Sequence, residues 1–354
     1  MITTKPFGQL PDGQAVTQYT MTNSSGASVS LINYGGIITS IIVPDKDGNM
    51  ADVALGFDNL EAYLADHGCM GDTVGRYGNR ITAGRFTLEG VEYQLACNNG
   101  KNHLHGGNVG FSQKMWAITP VEGAGADSLK MHYVSPDGEE NYPGTLDVTV
   151  TYTWDDACNL IIRYEATTDK ATLCNMTNHT YFNLAGYDHG TIADHVLRID
   201  ADVVTPVVDN GLIPTGGYLP VAGTPFDMRK GLLLGEGLAK AQEDEQLRYG
   251  CGYDHNFVLS KGEAMGAFAM LEHPESGRTM EVISDQPGVQ LYTASMTDIP
   301  GGKNGMHYKQ YSGLCLETQH FPDSPNNPQF TGTTVLRPGE KYDTTTIYAF
   351  RVKA

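Results

Sequence analysis

Residues 146–154 read Leu-Asp-Val-Thr-Val-Thr-Tyr-Thr-Trp, an alternation of apolar and polar side chains. Successive side chains of an extended chain point to opposite faces, so this stretch predicts a strand with valine and tyrosine on one face and threonine on the other. The turn residues Asp155-Asp156 follow, and residues 160–164 then read Leu-Ile-Ile-Arg-Tyr. This pattern is typical of a β-hairpin in an antiparallel sheet.

Other parts of the chain repeat this pattern of short apolar runs between turn residues. One run covers residues 31–43, contains Gly35-Gly36 and stops at Pro44. Another covers residues 344–350 and follows a turn at residues 337–340. The 42 glycines and 17 prolines of the sequence supply many such turns.

Helical signals are confined to two short stretches. Asp58-Asn59-Leu60-Glu61 resembles a capping box that opens a short helix, and Leu238 to Leu247 has a helical composition. No polar linker and no internal repeat divides the 354 residues. We therefore predict an all-β protein, an antiparallel sandwich or barrel, with residues 1–354 forming a single domain.

Composition and charge limit the classes of partner. The chain is 40% hydrophobic and 18% charged, as expected of a globular protein, and its 23 Lys and Arg against 41 Asp and Glu give a net charge of −18. The net negative charge would repel nucleic acids and anionic membranes. Binding to either also needs clustered basic residues, and no basic run of five occurs. A small neutral ligand fits this charge balance better.

The sequence also predicts the compartment. Its six cysteines are scattered without a Cys-x-x-Cys pair, which is typical of thiols in a reducing environment. The first residues lack the apolar segment of a signal peptide, and no apolar run approaches the roughly 20 residues of a membrane span. We expect a cytoplasmic monomer or homodimer.

Five segments carry polar residues that strands and turns do not explain. They are residues 75–81, 102–107, 177–184, 252–257 and 314–319. In the first, Arg76 and Arg80 can present donors to hydroxyl oxygens or act as surface cations. In the second, His103 and His105 would share one face of a strand, a spacing that suits a metal site, a sugar site or two satisfied structural histidines.

Three further residues combine titratable groups with apolar surroundings. His179 precedes the pair Tyr181-Phe182, and its ordinary pKa of about 6.5 suits an acid or base as well as a core histidine. Glu317 directly follows the apolar run 314–316, where a carboxylate is costly unless it is functional or in a structural ion pair. Asp254 lies between Tyr253 and His255, where a turn aspartate is the competing interpretation.

Taken in order, these segments resemble the aldose 1-epimerases, also called galactose mutarotases. The resemblance runs from about Asn33 to Phe350. It is carried by Asn33-Tyr34-Gly35-Gly36, Gly75-Arg76-Tyr77-Gly78-Asn79-Arg80-Ile81, Leu104-His105-Gly106-Gly107, Asn178-His179-Thr180-Tyr181-Phe182-Asn183-Leu184, Gly223-Thr224-Pro225-Phe226-Asp227, Tyr253-Asp254-His255, Gln286-Pro287-Gly288-Val289-Gln290, Leu316-Glu317-Thr318-Gln319 and Leu336-Arg337-Pro338-Gly339-Glu340.

The resemblance implies a fold and a reaction. The fold is a galactose-mutarotase-like super-sandwich of large antiparallel sheets with few short helices. The reaction interconverts the α and β anomers of free aldohexoses such as galactose and glucose, without a cofactor or a metal. Glu317 matches the family's general base at the C1 hydroxyl, and His179 matches its general acid at the ring oxygen. The positions that match sugar-holding residues are Asn79, Arg80, His105, Asp254 and Gln286, whereas His103 matches no role.

One departure and three alternatives leave the function open in detail. Residues 293–296 read Thr-Ala-Ser-Met where many family members have Thr-Gly-Asn-Phe, so the preferred sugar is not settled. The first alternative is a sugar-binding or regulatory β-sandwich without turnover. The second is a metal-dependent cupin-like enzyme that uses His103 and His105 with a carboxylate. The third is an epimerase of hexose 6-phosphates, which would need additional cations at its site.

Overall fold

A computed structural model of the protein describes residues 1–65 and 67–353. Strands β1 to β10 are Ile2–Gln9, Ala15–Thr22, Ser28–Ile32, Ile38–Pro44, Met50–Asp52, Asp72–Val74, Arg80–Ile81, Arg85–Leu88, Val91–Gln94 and His103–Leu104. Strands β11 to β20 are Ala117–Val121, Ala126–Ser135, Leu146–Asp155, Asn159–Thr168, Thr172–Leu173, Thr177–His179, Val196–Ile199, Ala201–Thr205, Leu219–Pro220 and Leu232–Leu233. Strands β21 to β27 are Asp254–Leu259, Gly266–Glu272, Arg278–Ser284, Gly288–Tyr292, Cys315–Gln319, Val335–Leu336 and Tyr342–Val352. Helices α1 to α3 are Leu60–Leu64, Leu234–Leu238 and Glu245–Tyr249.

Three large antiparallel sheets contain most of the strand residues. A nine-stranded sheet has the order β11-β12-β13-β14-β27-β23-β22-β17-β20. One five-stranded sheet runs from β1 to β5 in order, and a second has the order β19-β18-β21-β24-β25. Short two-stranded pairs, among them β6 with β16 and β7 with β10, form separate small sheets. The all-β prediction is confirmed.

The predicted hairpin lies in the middle of the nine-stranded sheet. Strands β13 and β14 pair from Leu146 opposite Thr168 to Trp154 opposite Leu160. Burial alternates along β13, and its apolar face belongs to the largest hydrophobic core. Burial of one valine, leucine or similar apolar side chain stabilises the folded protein by about 1.5–3 kcal/mol. Because the apolar side chains of β13 alternate with polar ones, this free energy fixes which face of the strand points inward.

The apolar run 31–43 forms two strands rather than one. Strands β3 and β4 are separated by a turn in which Gly35 and Gly36 have φ values of 67° and 57°. A Cβ atom on Gly35 would lie 2.2 Å from the carbonyl oxygen of Ser112, so only glycine fits there.

The helical predictions are confirmed in part. Helix α1 begins at the predicted place, with Asn59 as the N-cap that accepts the backbone N–H of Ala62. The stretch from Leu238 to Leu247, which has a helical composition, is helical only at its two ends, because α2 ends at Leu238 and α3 begins at Glu245. The side chain of Asp244 accepts the N–H groups of Gln246 and Leu247, and this cap starts a new helix within the stretch.

The second five-stranded sheet carries a polar face. Asn256, Gln290 and Glu317 lie directly opposite one another on β21, β24 and β25, and Asp254, Tyr292 and Cys315 form the neighbouring row. Residues two apart on a strand share a face, so both rows point to the same side. Strand β16 packs against β25 and brings His179 to this face.

Among residues 1–65 and 67–353, no helix has both the length and the apolar composition required to cross a membrane.

Candidate active site

His179 and Glu317 meet at the polar face, although 138 residues separate them in the sequence. The Nε2 atom of His179 lies 3.6 Å from Oε1 of Glu317. Both side chains are almost completely buried, at 5% and 1% exposure. His105 and Tyr292, which are half-buried, place their rings 5.2 and 6.2 Å from the ring of His179. The structure thus brings the predicted acid and base into one cluster.

Glu317 is held beside a second acidic side chain. Gln290 lies opposite Glu317 in the sheet, and its Nε2 atom donates to Oδ1 of Asp254 over 2.6 Å. Within the described residues, Oε2 of Glu317 and Oε1 of Gln290 are buried without a hydrogen-bond partner. Buried polar atoms are normally paired, so these two oxygens fit a ligand that brings hydroxyl donors.

A loop and a short strand hold the residues on the other side of the cluster. Asn79 and His105 are joined twice: the N–H of His105 donates to the Asn79 carbonyl, and the N–H of Asn79 donates to Nδ1 of His105. Arg80 follows in β7, and its guanidinium lies 3.8 Å from Asp254. Asn79, Arg80 and Asp254 are all buried. Four of the five predicted sugar-holding residues, Asn79, Arg80, His105 and Asp254, therefore surround the His179–Glu317 pair.

Burial shifts the pKa values of both members of the pair and reverses their usual order. Burial lowers the pKa of His179 to about 4. Burial and the nearby Asp254 carboxylate raise the pKa of Glu317 well above its usual value, although Arg80 opposes this. In the free site the carboxyl therefore holds a proton more readily than the imidazole does, and both groups remain able to exchange protons with a bound ligand.

The cluster also has the composition of a metal site. One ligand atom from each of His105, His179 and Glu317 lies within 4.8 Å of the others, and two histidines with a glutamate can hold Zn²⁺. However, Nδ1 of His105 accepts the Asn79 N–H, so the proton of this imidazole sits on Nε2. A metal bound at Nε2 would displace that proton onto Nδ1, where it would face the N–H donor of Asn79 instead of an acceptor. The arrangement suits proton donation to an oxygen better than it suits a metal.

The metal hypothesis that paired His103 with His105 is wrong. His105 has a φ of 50°, so the strand ends before it and the two rings do not share a face. His103 lies 2.6 Å from the Tyr142 hydroxyl through Nε2 and 2.8 Å from the Ala96 carbonyl through Nδ1. Both of its nitrogens are thus engaged within the protein, which makes His103 a structural histidine.

The family model of the aldose 1-epimerases matches residues 17–349. The galactose mutarotase of Homo sapiens is 44% identical over 352 residues, which covers 99% of each chain.

The chain belongs to the aldose 1-epimerase family.

A more distant relative in the family, the aldose 1-epimerase of Escherichia coli K12, is 36% identical over 96% of each chain. Among solved structures, galactose 1-epimerase from Lactobacillus acidophilus NCFM superposes with a TM-score of 0.87 at 29% identity and covers 100% of this chain and 99% of that one. A galactose mutarotase-like protein from Clostridium acetobutylicum reaches a TM-score of 0.73 at 13% identity, covering 100% and 99% of the two chains. The predicted galactose-mutarotase-like super-sandwich is confirmed.

One residue expected from the family pattern lies elsewhere. Gln286 precedes β24, and its Nε2 atom donates to the Thr344 hydroxyl of β27 over 2.6 Å. Gln290, four residues later, is the glutamine beside Glu317 and Asp254. Gln290 thus joins the cluster in the structure, and the assignment of Gln286 to the sugar site stays a prediction. The alternation of Gln290 with Tyr292 in an apolar strand was the available sequence signal for this residue.

The segment that departs from the family pattern adjoins the cluster. Residues 293–296 follow β24 directly, and the Met296 N–H donates to the hydroxyl of Tyr292 over 3.3 Å. Met296 is exposed, whereas Tyr292 packs against His179 and Tyr181. The departure thus alters the surface that borders the half-buried side of the site.

Arg76 is a structural residue. Its buried guanidinium donates to the hydroxyls of Ser135 and Thr172 and to four backbone carbonyls, those of Ser135, Pro136, Pro143 and Gly144. The expectation that both arginines of the 75–81 segment could face hydroxyls of a ligand therefore applies to Arg80 alone.

Replacing Arg76 should destabilise the fold strongly. We expect Arg76→Met to lower the free energy of unfolding by at least about 3 kcal/mol, because several buried carbonyls lose their donor. Urea denaturation followed by circular dichroism measures the change. The exposed Arg85 is the matched control, and Arg85→Met should cost less than about 0.5 kcal/mol. Equal losses for the two variants would contradict the structural role.

Proposed function

We propose that the protein interconverts the α and β anomers of free aldoses such as galactose, with Glu317 as general base and His179 as general acid. The proposal rests chiefly on one observation: a buried carboxylate and a buried imidazole lie 3.6 Å apart on a face that also carries Arg80, Asp254 and Gln290. Its membership of the aldose 1-epimerase family makes the protein an isomerase.

The reaction needs two proton transfers in each direction. Glu317 takes the proton of the C1 hydroxyl while His179 delivers a proton to the ring oxygen, and the bond between C1 and the ring oxygen breaks. The open aldehyde rotates about C1–C2, and closure on its other face returns both protons. The protein ends unchanged, so the cycle consumes no cofactor.

The sugar itself prepares Glu317 for its role. In the free site, burial favours the protonated carboxyl. A sugar hydroxyl that donates to the unpartnered Oε2 atom stabilises the carboxylate and so lowers its pKa. The proton of the pair then resides on His179, in position for the ring oxygen. Substrate binding thus generates the base and the acid together.

The remaining polar residues of the cluster bind the sugar's other hydroxyls. Arg80, Asn79 and His105 offer donors, Asp254 offers an acceptor, and Gln290 can offer either. The nearby guanidinium of Arg80 is already balanced by Asp254. A free neutral sugar therefore fits the charge of the site better than a sugar phosphate does.

The two glutamines provide a test of the binding set. We expect Gln290→Ala to lower kcat/KM by roughly 10- to 100-fold, because the sugar and Asp254 both lose a partner in a buried site. Gln286→Ala should change kcat/KM by less than about threefold, because its amide bonds Thr344 instead. Steady-state polarimetry on both variants measures this difference. A larger loss from Gln286→Ala would support the original assignment.

The function itself is tested by polarimetry on freshly dissolved α-D-galactose. We expect the purified protein to accelerate the approach to anomeric equilibrium, and a panel of aldoses then ranks its substrates. Sugar binding without acceleration would identify the non-catalytic alternative. Acceleration restricted to galactose 6-phosphate or glucose 6-phosphate would identify the phosphate-specific alternative.

The compartment and the oligomeric state stay predictions. Cell fractionation tests whether the protein is cytoplasmic, and size-exclusion chromatography tests whether it is a monomer or a homodimer.

A further inference from the structure

The far side of the His179 imidazole contacts a buried thiol. Cys315 lies two residues before Glu317 on β25, on the same face of the sheet, and its Sγ atom is 3.4 Å from Nδ1 of His179. Cys315 is fully buried, at 0% exposure. The two nitrogens of His179 therefore have different neighbours: Nδ1 meets the thiol, and Nε2 faces Glu317.

The thiol and the imidazole are both uncharged in the free site. Burial, with a further contribution from Glu317, raises the pKa of the Cys315 thiol well above its usual value, so the sulfur keeps its proton. Burial lowers the pKa of His179 to about 4, so its ring carries a single proton near neutral pH. Two arrangements are then available. Either S–H donates to Nδ1 and the ring proton sits on Nε2, or the ring proton sits on Nδ1 and Nε2 is bare.

The contact with the thiol favours the first arrangement. The second would leave the S–H group without an acceptor, because Nδ1 is the partner that the described part of the chain provides for Sγ. In the first, the thiol donates to Nδ1, and the Nε2–H group faces Oε1 of Glu317 at 3.6 Å.

We propose that Cys315 is a positioning residue, which donates its S–H to Nδ1 of His179 and thereby holds the imidazole as the Nε2–H tautomer. The inference rests on the proposed role of His179 as the acid. The N–H of Asn79 acts on His105 in the same way, so both imidazoles present an N–H to the sugar oxygens. When His179 takes up a second proton, its Nδ1–H can donate to the sulfur in turn, because a thiol both donates and accepts.

Variants of Cys315 separate hydrogen bonding from packing. Cys315→Ser keeps an X–H group of similar size, whereas Cys315→Val fills the space without any donor. Cys174 is a second buried cysteine, outside the cluster, and Cys174→Val is the matched control for loss of a buried thiol.

The tautomer can be read directly by NMR of the full-length protein labelled with ¹⁵N at histidine. The His179 signals are assigned by their loss in His179→Gln. We expect wild type, Cys315→Ser and Cys174→Val to show a protonated Nε2 and an unprotonated Nδ1 for His179. Cys315→Val should show a mixture of both tautomers. We also expect kcat to fall roughly 10-fold or more in Cys315→Val with KM changed less than about twofold, and to recover in Cys315→Ser.

Two results would overturn the proposal: a wild-type His179 protonated on Nδ1, or a Cys315→Val protein whose ¹⁵N pattern and kcat both match wild type. Failure of the proposed function has a different signature. If His179→Gln keeps nearly full activity, the role of His179 as acid is wrong, while the tautomer measured in the wild-type and Cys315 proteins still decides the role of the thiol.

Discussion

Glu317→Gln should lower kcat/KM for the mutarotation of α-D-galactose by at least about 10³-fold, a loss of about 4 kcal/mol in transition-state stabilisation. Glutamine has nearly the shape of glutamate and can still bind a hydroxyl, but its amide cannot take the proton of the C1 hydroxyl at neutral pH. Polarimetry of the fresh anomer, corrected for the spontaneous rate, measures the change.

The stability of the same variant distinguishes catalysis from a structural ion pair. Burial makes the ionised Glu317 side chain costly, so an uncharged glutamine should leave the free energy of unfolding unchanged or higher. A structural ion pair with His179 would instead make the variant less stable. Glu340→Gln, at an exposed position, is the control and should alter neither property. A near-normal rate in Glu317→Gln would reject Glu317 as the base.

His179→Asn should lower kcat by roughly 10²- to 10⁴-fold, the usual contribution of a positioned acid. Asparagine can donate a hydrogen bond to the ring oxygen but cannot transfer a proton to it. Because base and acid act in one concerted exchange, the double variant with Glu317→Gln should be little slower than the slower single variant. Stopped-flow or conventional polarimetry on the three proteins tests this non-additivity.

His103 supplies a matched histidine control. It is buried and bonded like a core residue, so His103→Asn should cost about 1–2 kcal/mol of stability and leave kcat near its normal value. His179→Asn should show the opposite pattern. If both variants lose stability and neither loses rate once folded, His179 is a structural residue.

Local patterns in the sequence were sufficient for much of the fold. The alternation in residues 146–154 predicted the central hairpin, because burial on one face of a strand repeats every second residue. The break within residues 238–247 also has a local cause: Asp244 caps a new helix, and composition alone does not show where a cap interrupts a helix. His105 departed from the strand because its backbone turns into the left-handed region.

The site depended on information that no single stretch contains. The apolar run before Glu317 signalled a buried carboxylate, but its distance from His179 is set by the packing of β16 on β25. Similarly, the 286–290 motif offers two glutamines, and only the pairing of β24 with β25 shows that Gln290 faces Glu317. The contact of Cys315 with His179 depends on the same packing, so the sequence alone does not predict it. Register between strands distant in sequence decides these contacts.

The polar face shared by β21, β24 and β25 makes the site sensitive to insertions and deletions as well as to substitutions. One added residue inside β24 would rotate Gln290 to the opposite face of the sheet, where Val289 and Leu291 now pack into the core. Glu317, Gln290 and Cys315 thus depend on one shared strand register. Within this family, change in sugar preference is expected to arise in the segments that border the face, such as residues 293–296, while the lengths of the three strands stay fixed.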